Sequence, residues 1–299
     1  MTFTKKINRL IEPTFVMSLT LICLFLSQRS LIFVGMIPII FVIVYFNEGI
    51  LSLLTGIFGT YFMGLVFVDS DTLFMNLLPL IFISIGLIVV IGLKLSDRAE
   101  ILSSFIISSL IFIFIYKYKM YVDNTTIDDL AVNLKANFES IYPYTLDLDL
   151  YRFTSSLYPA LLAWVSMFYS ILSVKIIRNY LAYKSDSYTD IKNLDQLRIN
   201  IKDLIILLII ELVIFYLGKF LGIKDIYLLG NLVLLTMMFF AVNGVSLFDY
   251  ILKNSTIPLT RGFQWFFIVI LIQIFLIPLI ILGILDVFID FRARRTNEK

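Results

Sequence analysis

Glu211 is the residue in this chain best placed to do chemistry. It stands in the middle of an apolar run, with Leu204 to Ile210 before it and Leu212 to Phe215 after. A charged side chain at the centre of a bilayer costs roughly 2.5–3.5 kcal/mol on insertion scales, so an acid there is neutralised or paired inside a helix bundle. Contact with a substrate, a proton or a cation suits it, and so does a hydrogen bond to a neighbouring helix. Asn231, Thr236 and Asn243 punctuate the next apolar run, and Gln264 and Gln273 the one after. Interhelical hydrogen bonds of this kind average only about 0.6 kcal/mol and can be simple glue. Asn231 and Asn243 lie ~18 Å apart along a helix, so no small ligand touches both directly. Gln273 shares the depth of Glu211 and is its expected neighbour. Glu211, Gln273 and Asn243 form the candidate ligand-binding set.

What the chain lacks narrows the chemistry. With no histidine, Ser-His-Asp and Cys-His nucleophiles, the zinc-peptidase helix motif, histidine proton relays and histidine-ligated haem are excluded. Its single cysteine, Cys23, lies in the first apolar run, so there is no intramolecular disulfide and no CxxC metal knuckle. A net charge of +2 leaves no nucleic-acid footprint. Glycine-rich phosphate loops and nucleophile elbows are missing. The expectation is therefore no enzyme, no cofactor and no metal.

These residues sit on elements that belong in a membrane. Hydrophobic residues make up 60% of the 299 and charged residues 15%, against ordinary soluble values of ~45–50% and ~25%. Mean hydropathy is +0.96. Nine apolar segments stand out, at 14–28, 31–46, 50–68, 77–93, 101–116, 153–177, 203–221, 226–247 and 263–285. No in–out alternation suggests a barrel, so the expected fold is all-α: a polytopic transmembrane bundle of eight or nine segments in one integral membrane domain, 1–299. Gly56, Thr60 and Gly64, four residues apart, suit close internal packing of the third segment, or a homodimer face. Lys5, Lys6 and Arg9 before the first segment resemble a signal peptide, but no small-x-small cleavage site follows, and a retained helix opening at Pro13 is expected.

Two polar stretches interrupt the plan. Within the first, 116–152, Ile127, Leu130, Ala131, Leu134, Phe138 and Ile141 recur at helical spacing, with Thr126 and Asp129 as a capping-box-like start. An amphipathic surface helix at 126–141 is expected, with Leu134 less exposed than Lys135. The second, 178–202, follows Lys175 and Arg178 and reads as cytoplasmic, which puts the first outside. Nine plain crossings from a cytoplasmic N-terminus place 13 of the 24 Lys and Arg inside. Returning the tail (Arg292, Arg294, Arg295, Lys299) to the cytoplasm raises this to 17, a normal bias. One late segment then does not cross simply, and the last is the suspect because Pro278 breaks it. Asp69, Asp71, Asp97, Arg98 and Glu100, at membrane edges, are expected to be solvated.

The C-terminal end carries a pattern of its own. Gly283, Asp286, Asp290, Phe291 and Arg292 form G-x-x-D-x-x-x-D-F-R, and Asn243-Gly244-Val245-Ser246 precedes it by about forty residues. Together these resemble the YybS-like family of bacterial membrane proteins, with Asn243 where that family has glutamine and Asn47-Glu48-Gly49 in place of its basic turn. The family in turn is distantly similar to the substrate-capturing subunits of energy-coupling-factor transporters and to the rod-shape protein MreD. The resemblance implies a bacterial plasma-membrane protein with no assigned activity. Asp286 and Asp290 share a helix face, with Arg292 beyond, and suit a docking surface or hinge at the membrane edge, or ordinary interface anchoring. Two functions follow as expectations: a small-molecule-binding or transport-like subunit, or a non-catalytic envelope scaffold that binds another membrane protein. The sequence names no ligand.

Overall fold

The computed structural model describes residues 17–23, 31–66, 70–142, 144–191, 197–254, 260, 263–264, 268, 274–289 and 291–292, with backbone alone at 31–33 and 71–72. Among them no strand occurs, residues 17–23 are helical, and ten further helices follow. These are α1 (Leu31–Glu48), α2 (Ile50–Gly64), α3 (Ser70–Gly92), α4 (Asp97–Val122), α5 (Ile127–Ile141), α6 (Leu148–Ser156), α7 (Tyr158–Lys184), α8 (Ile201–Phe220), α9 (Asp225–Lys253) and α10 (Leu276–Ile289). Four of them, α3, α4, α7 and α9, are long and apolar enough to cross a membrane, and α1, α2 and α10 are shorter apolar helices. The protein is a polytopic helical membrane protein.

The described residues fall into two compact units. One holds 1–119 and 165–191, the other 120–164 and 192–299. In the first, Ile37 and Phe41 of α1 pack with Leu53 of α2, Leu80 of α3 and Cys23. Gly56, Thr60 and Gly64 all face inward on α2, where Leu73 of α3 lies against Gly64. The glycine stripe thus serves internal packing, which small residues permit by letting backbones approach.

The second unit is built on the crossing of α9 and α10. A Cβ at Gly244 would overlap the carbonyl oxygen of Leu279, and one at Gly283 that of Phe240. The helices therefore touch backbone to backbone. α10 begins at Leu276 after a non-helical Phe275, so the break anticipated at Pro278 falls three residues upstream of it. The proline ring collides with the carbonyl four residues back, that of Ile274, and offers no N–H to it. Pro278 itself is comfortable in the first turn of α10, where its missing donor has no helical partner to lose. Asp290 lies outside the described residues, as does Gln273.

α5 forms where its periodicity places it, and its cap is the one the sequence implies. The Asp129 amide donates to Thr126 Oγ1 (3.2 Å), and the Thr126 amide donates to Asp129 Oδ2 (2.8 Å). One detail differs. Ala131 is the buried centre of the helix, and Leu134 is exposed while Lys135 is half-buried. The covered face is rotated from the apolar arc toward Lys135 and Glu139, which pair at 3.7 Å. α6 is an element the apolar count did not separate from α7. Leu157 interrupts the two, and Pro159 stands in the first turn of α7, where proline is tolerated.

The Thr126 hydroxyl and amide hold the Asp129 carboxyl below its usual range. A depressed carboxylate contributes its stability above the unfolded pKa of ~3.9 and loses it as pH falls through the folded value. Amide exchange in the first turn of α5 should therefore differ between the parent and D129N at pH 6, and converge once the solution is acidified below the folded pKa. The crossing gives a second expectation. G244A and G283A should each lower the thermal midpoint in detergent sharply, because overpacking alone costs ~1–3 kcal/mol and here the obstacle is backbone. G92A, where an added Cβ meets nothing within 4 Å, should leave the midpoint unchanged.

Candidate functional site

Polar groups in the second unit gather at two places. The first is the α9–α10 crossing. Because the backbones touch there, the Asn243 carboxamide reaches across: its Nδ2 donates to Gly283 O (2.9 Å) and, more loosely, to Asp286 Oδ2 (3.5 Å). Its Oδ1 accepts the Ile199 amide (3.0 Å), which pins the chain entering α8. Asp286 is one helical turn from Gly283, and its Oδ2 also pairs with Arg292 (3.1 Å). Asn243, Asp286 and Arg292 are all buried. Three members of the C-terminal pattern, Gly283, Asp286 and Arg292, thus join Asn243 in one buried knot. The Asn243 carboxamide is engaged on both its oxygen and its nitrogen.

The second place is Glu211. It is buried on a helix whose other side chains are mostly exposed, as the argument that lipid offers no hydrogen-bond partner requires. Thr236 of α9 donates its hydroxyl to Glu211 Oε1 (2.6 Å). That hydroxyl also lies 3.0 Å from Leu232 O, so one hydrogen faces two acceptors. Gly218, two turns along α8, is the other buried position of the helix and sits against Leu228. α8 is thus tied to α9 by the Glu211–Thr236 contact at mid-length and, near its end, by Gly218 against Leu228 and the exposed Lys219–Asp225 ion pair (3.3 Å). Gln273, the expected neighbour, lies outside the described residues. Asn231, also on α9, is a structural clamp, accepting the Ala160 amide (3.0 Å) and donating to Ser156 O (2.9 Å).

The first unit holds a charged centre that the sequence reading assigned to solvent. Asp97 and Glu100 lie in the first turn of α4, and Glu100 is fully buried. Arg178 of α7 is buried with it and donates to Glu100 Oε1 (2.6 Å) through one terminal nitrogen. The other terminal nitrogen donates to Thr189 Oγ1 (2.8 Å) and pairs with Asp97 (3.5 Å), while Nε donates to Thr189 O (3.1 Å). Tyr188 lies under the guanidinium at 5.8 Å and under Lys94 at 4.8 Å. Asn179 accepts the Ile191 amide (2.8 Å). A planar five-donor guanidinium can hold two acids and a loop at once, where an ammonium cannot.

A signal for this centre exists in the sequence. Glu100, Ser104 and Ser108 fall four apart on α4, and all three are buried. Ser166, Ser170 and Ser173 mark a similar face on α7, ending near Arg178. Small residues at that spacing identify the inward faces, and the charged residue that continues each face goes inward too.

Residues 145–287, from just before α6 into α10, match a family described as "Predicted membrane protein (DUF2232)". The matched stretch contains Glu211, Asn243, Gly283 and Asp286. No curated protein and no solved structure matches the chain.

Breaking a buried ion pair by removing one partner typically costs ~3–5 kcal/mol, whereas replacing both by apolar groups is close to neutral. R178M and E100M should each lower the thermal midpoint in detergent strongly, and E100M/R178M should recover much of the loss. Additive losses would mean that the two side chains act separately.

Proposed function

We propose that the protein is a small-molecule-binding, transport-like membrane subunit and that Glu211 is its polar contact inside the membrane. The observation that carries this reading is the state of that carboxyl group. Asn243, Asp286, Glu100 and Arg178 are held in buried networks. Among the described residues Glu211 is held by one hydroxyl, Thr236, on one oxygen. An ionisable group within the bilayer that remains this lightly tied is suited to exchange its partner for a ligand's hydrogen-bond donor or cation. The break before α10 supports the same reading, since interrupted helices in membranes line protein-enclosed or solvated sites. The resemblance to YybS-like proteins, and beyond them to substrate-capturing transporter subunits, points the same way. In this proposal the membrane is a bacterial plasma membrane, with both termini and the α7–α8 loop cytoplasmic.

A second reading, a scaffold for another membrane protein, draws on the surface of α8. Ile205, Ile206, Ile209, Leu212, Val213 and Tyr216 are all exposed, and another helix could lie along them. The two readings diverge in one experiment. Purified parent protein, screened by thermal shift against amines, cationic metabolites and vitamins, should gain several degrees with at least one compound. Tight binding of this kind stabilises by about 2.7 kcal/mol at 100 times Kd. E211Q should fold with the parent's midpoint and lose that gain. A ligand whose stabilisation survives E211Q would remove Glu211 from the site, and a panel without a single shift would favour the scaffold.

A further inference from the structure

We propose that residues 141–142 and 144–150, with the α8–α9 turn, form a collar on the second unit that inserts into the lipid headgroup region at one face of the membrane. The partner is the bilayer surface itself.

The tether comes first. The 123–157 stretch leaves the end of α4 and returns to the start of α7, two helices long and apolar enough to cross. Both ends of the α5–α6 pair are therefore fixed at a membrane edge. The α6–α7 junction is then placed in depth by α9: Phe153 and Leu157 pack on Gly230, and Asn231 bonds both Ser156 and Ala160. Gly230 is five residues into α9, ~8 Å from its start at ~1.5 Å per residue. α6 consequently lies at the level of the α8–α9 turn and does not stand out into water.

At that level many exposed side chains are apolar, and the exposed acids among them are engaged locally: Asp147 caps α6, Asp149 pairs with Arg152 (2.9 Å) and Asp225 with Lys219 (3.3 Å). Ile141 is 71% exposed and Tyr144 69%, with Tyr142, Leu146 and Leu150 also exposed. In the α8–α9 turn Phe220 is 88% exposed, and Leu221, Ile223 and Ile226 are exposed beside it. On α5, Leu134 and Ile141 are seven apart, hence on one face, and both are exposed next to the buried line of the helix. The exposure of Leu134 is explained if lipid is what covers that side. Tyrosines, with an apolar ring and a polar tip, suit the headgroup layer. Lys219 and Lys224 flank the turn, Lys219 pairing with Asp225 (3.3 Å) and Lys224 lying over Tyr227 at 5.6 Å; the basic side chains that close a helix end also suit the headgroup level. Large apolar side chains exposed in this number on a soluble face would be a liability, but in the interface they are anchors.

The test uses the full-length chain with Cys23→Ser, reconstituted in phosphatidylcholine/phosphatidylglycerol vesicles, with one spin-labelled cysteine at a time. Y144C and L221C should be more accessible to oxygen than to a water-soluble nickel chelate. A136C, on the opposite side of α5, should show the reverse. If either of the first two labels misfolds the protein, L146C and F220C probe the same segments. Nickel accessibility at 144 matching that at 136 would overturn the proposal by placing the segment in water. Shielding from both reagents at 144 and 221 would overturn it in favour of a covering protein chain.

Discussion

At Gly244 and Gly283 the backbones of α9 and α10 meet with no side chain between them, and the polar contacts at that crossing follow from the meeting. Without it Asn243 could not reach Gly283 O, and Asp286 would not lie beside the carboxamide. The Ile199 amide would then have no acceptor, and the entry to α8 would lose its fixed point. A methyl group on either glycine would strike a carbonyl oxygen. The close approach is what lets one asparagine join three segments: the strand of chain before α8, the middle of α9 and the end of α10.

The same economy governs the rest of the interior. In hydrocarbon a polar group has no water to fall back on, so each must find its partner within the chain. Arg178 meets this demand in the first unit by holding Glu100, Asp97 and the 188–189 loop together. Asn231 meets it at the α6–α7 junction, and Thr60 and Ser84 by bonding back to the carbonyl four residues earlier. Glu211 stands apart in having a single described partner on the neighbouring helix. That contrast is the basis for proposing a functional role for it and a structural one for the Asn243–Asp286–Arg292 knot.

Much of the architecture was legible because the bilayer imposes long apolar runs. The eight apolar helices from α1 to α10, leaving aside the surface pair α5 and α6, each correspond to a run read from the sequence. The capping box at Thr126 and Asp129 was readable because it needs two residues at a fixed spacing. The interruption before α10 was readable from Pro278, although the steric clash displaces it to Phe275. The Glu100–Arg178 pair was not readable from charge alone. Its members are 78 residues apart, each at the end of an apolar run where a solvated residue would look identical. Nor was α6 separated from α7, although Pro159, two residues after Leu157, is the local signal for that break. The rotation of α5 that exposes Leu134 is a tertiary choice, made by what packs on Ala131 and Phe138.

The division between a structural knot and a functional carboxyl is open to one direct measurement: the thermal unfolding midpoints of D286A and E211Q, side by side in the same detergent. D286A removes the carboxylate paired with buried Arg292 at 3.1 Å, and removing one partner of a buried pair costs on the order of 3–5 kcal/mol. E211Q retains an oxygen able to accept from Thr236. D286A should show a large fall, and E211Q a midpoint indistinguishable from the parent. Equal falls in the two variants would contradict that division, because Glu211 would then be one more member of the interior framework.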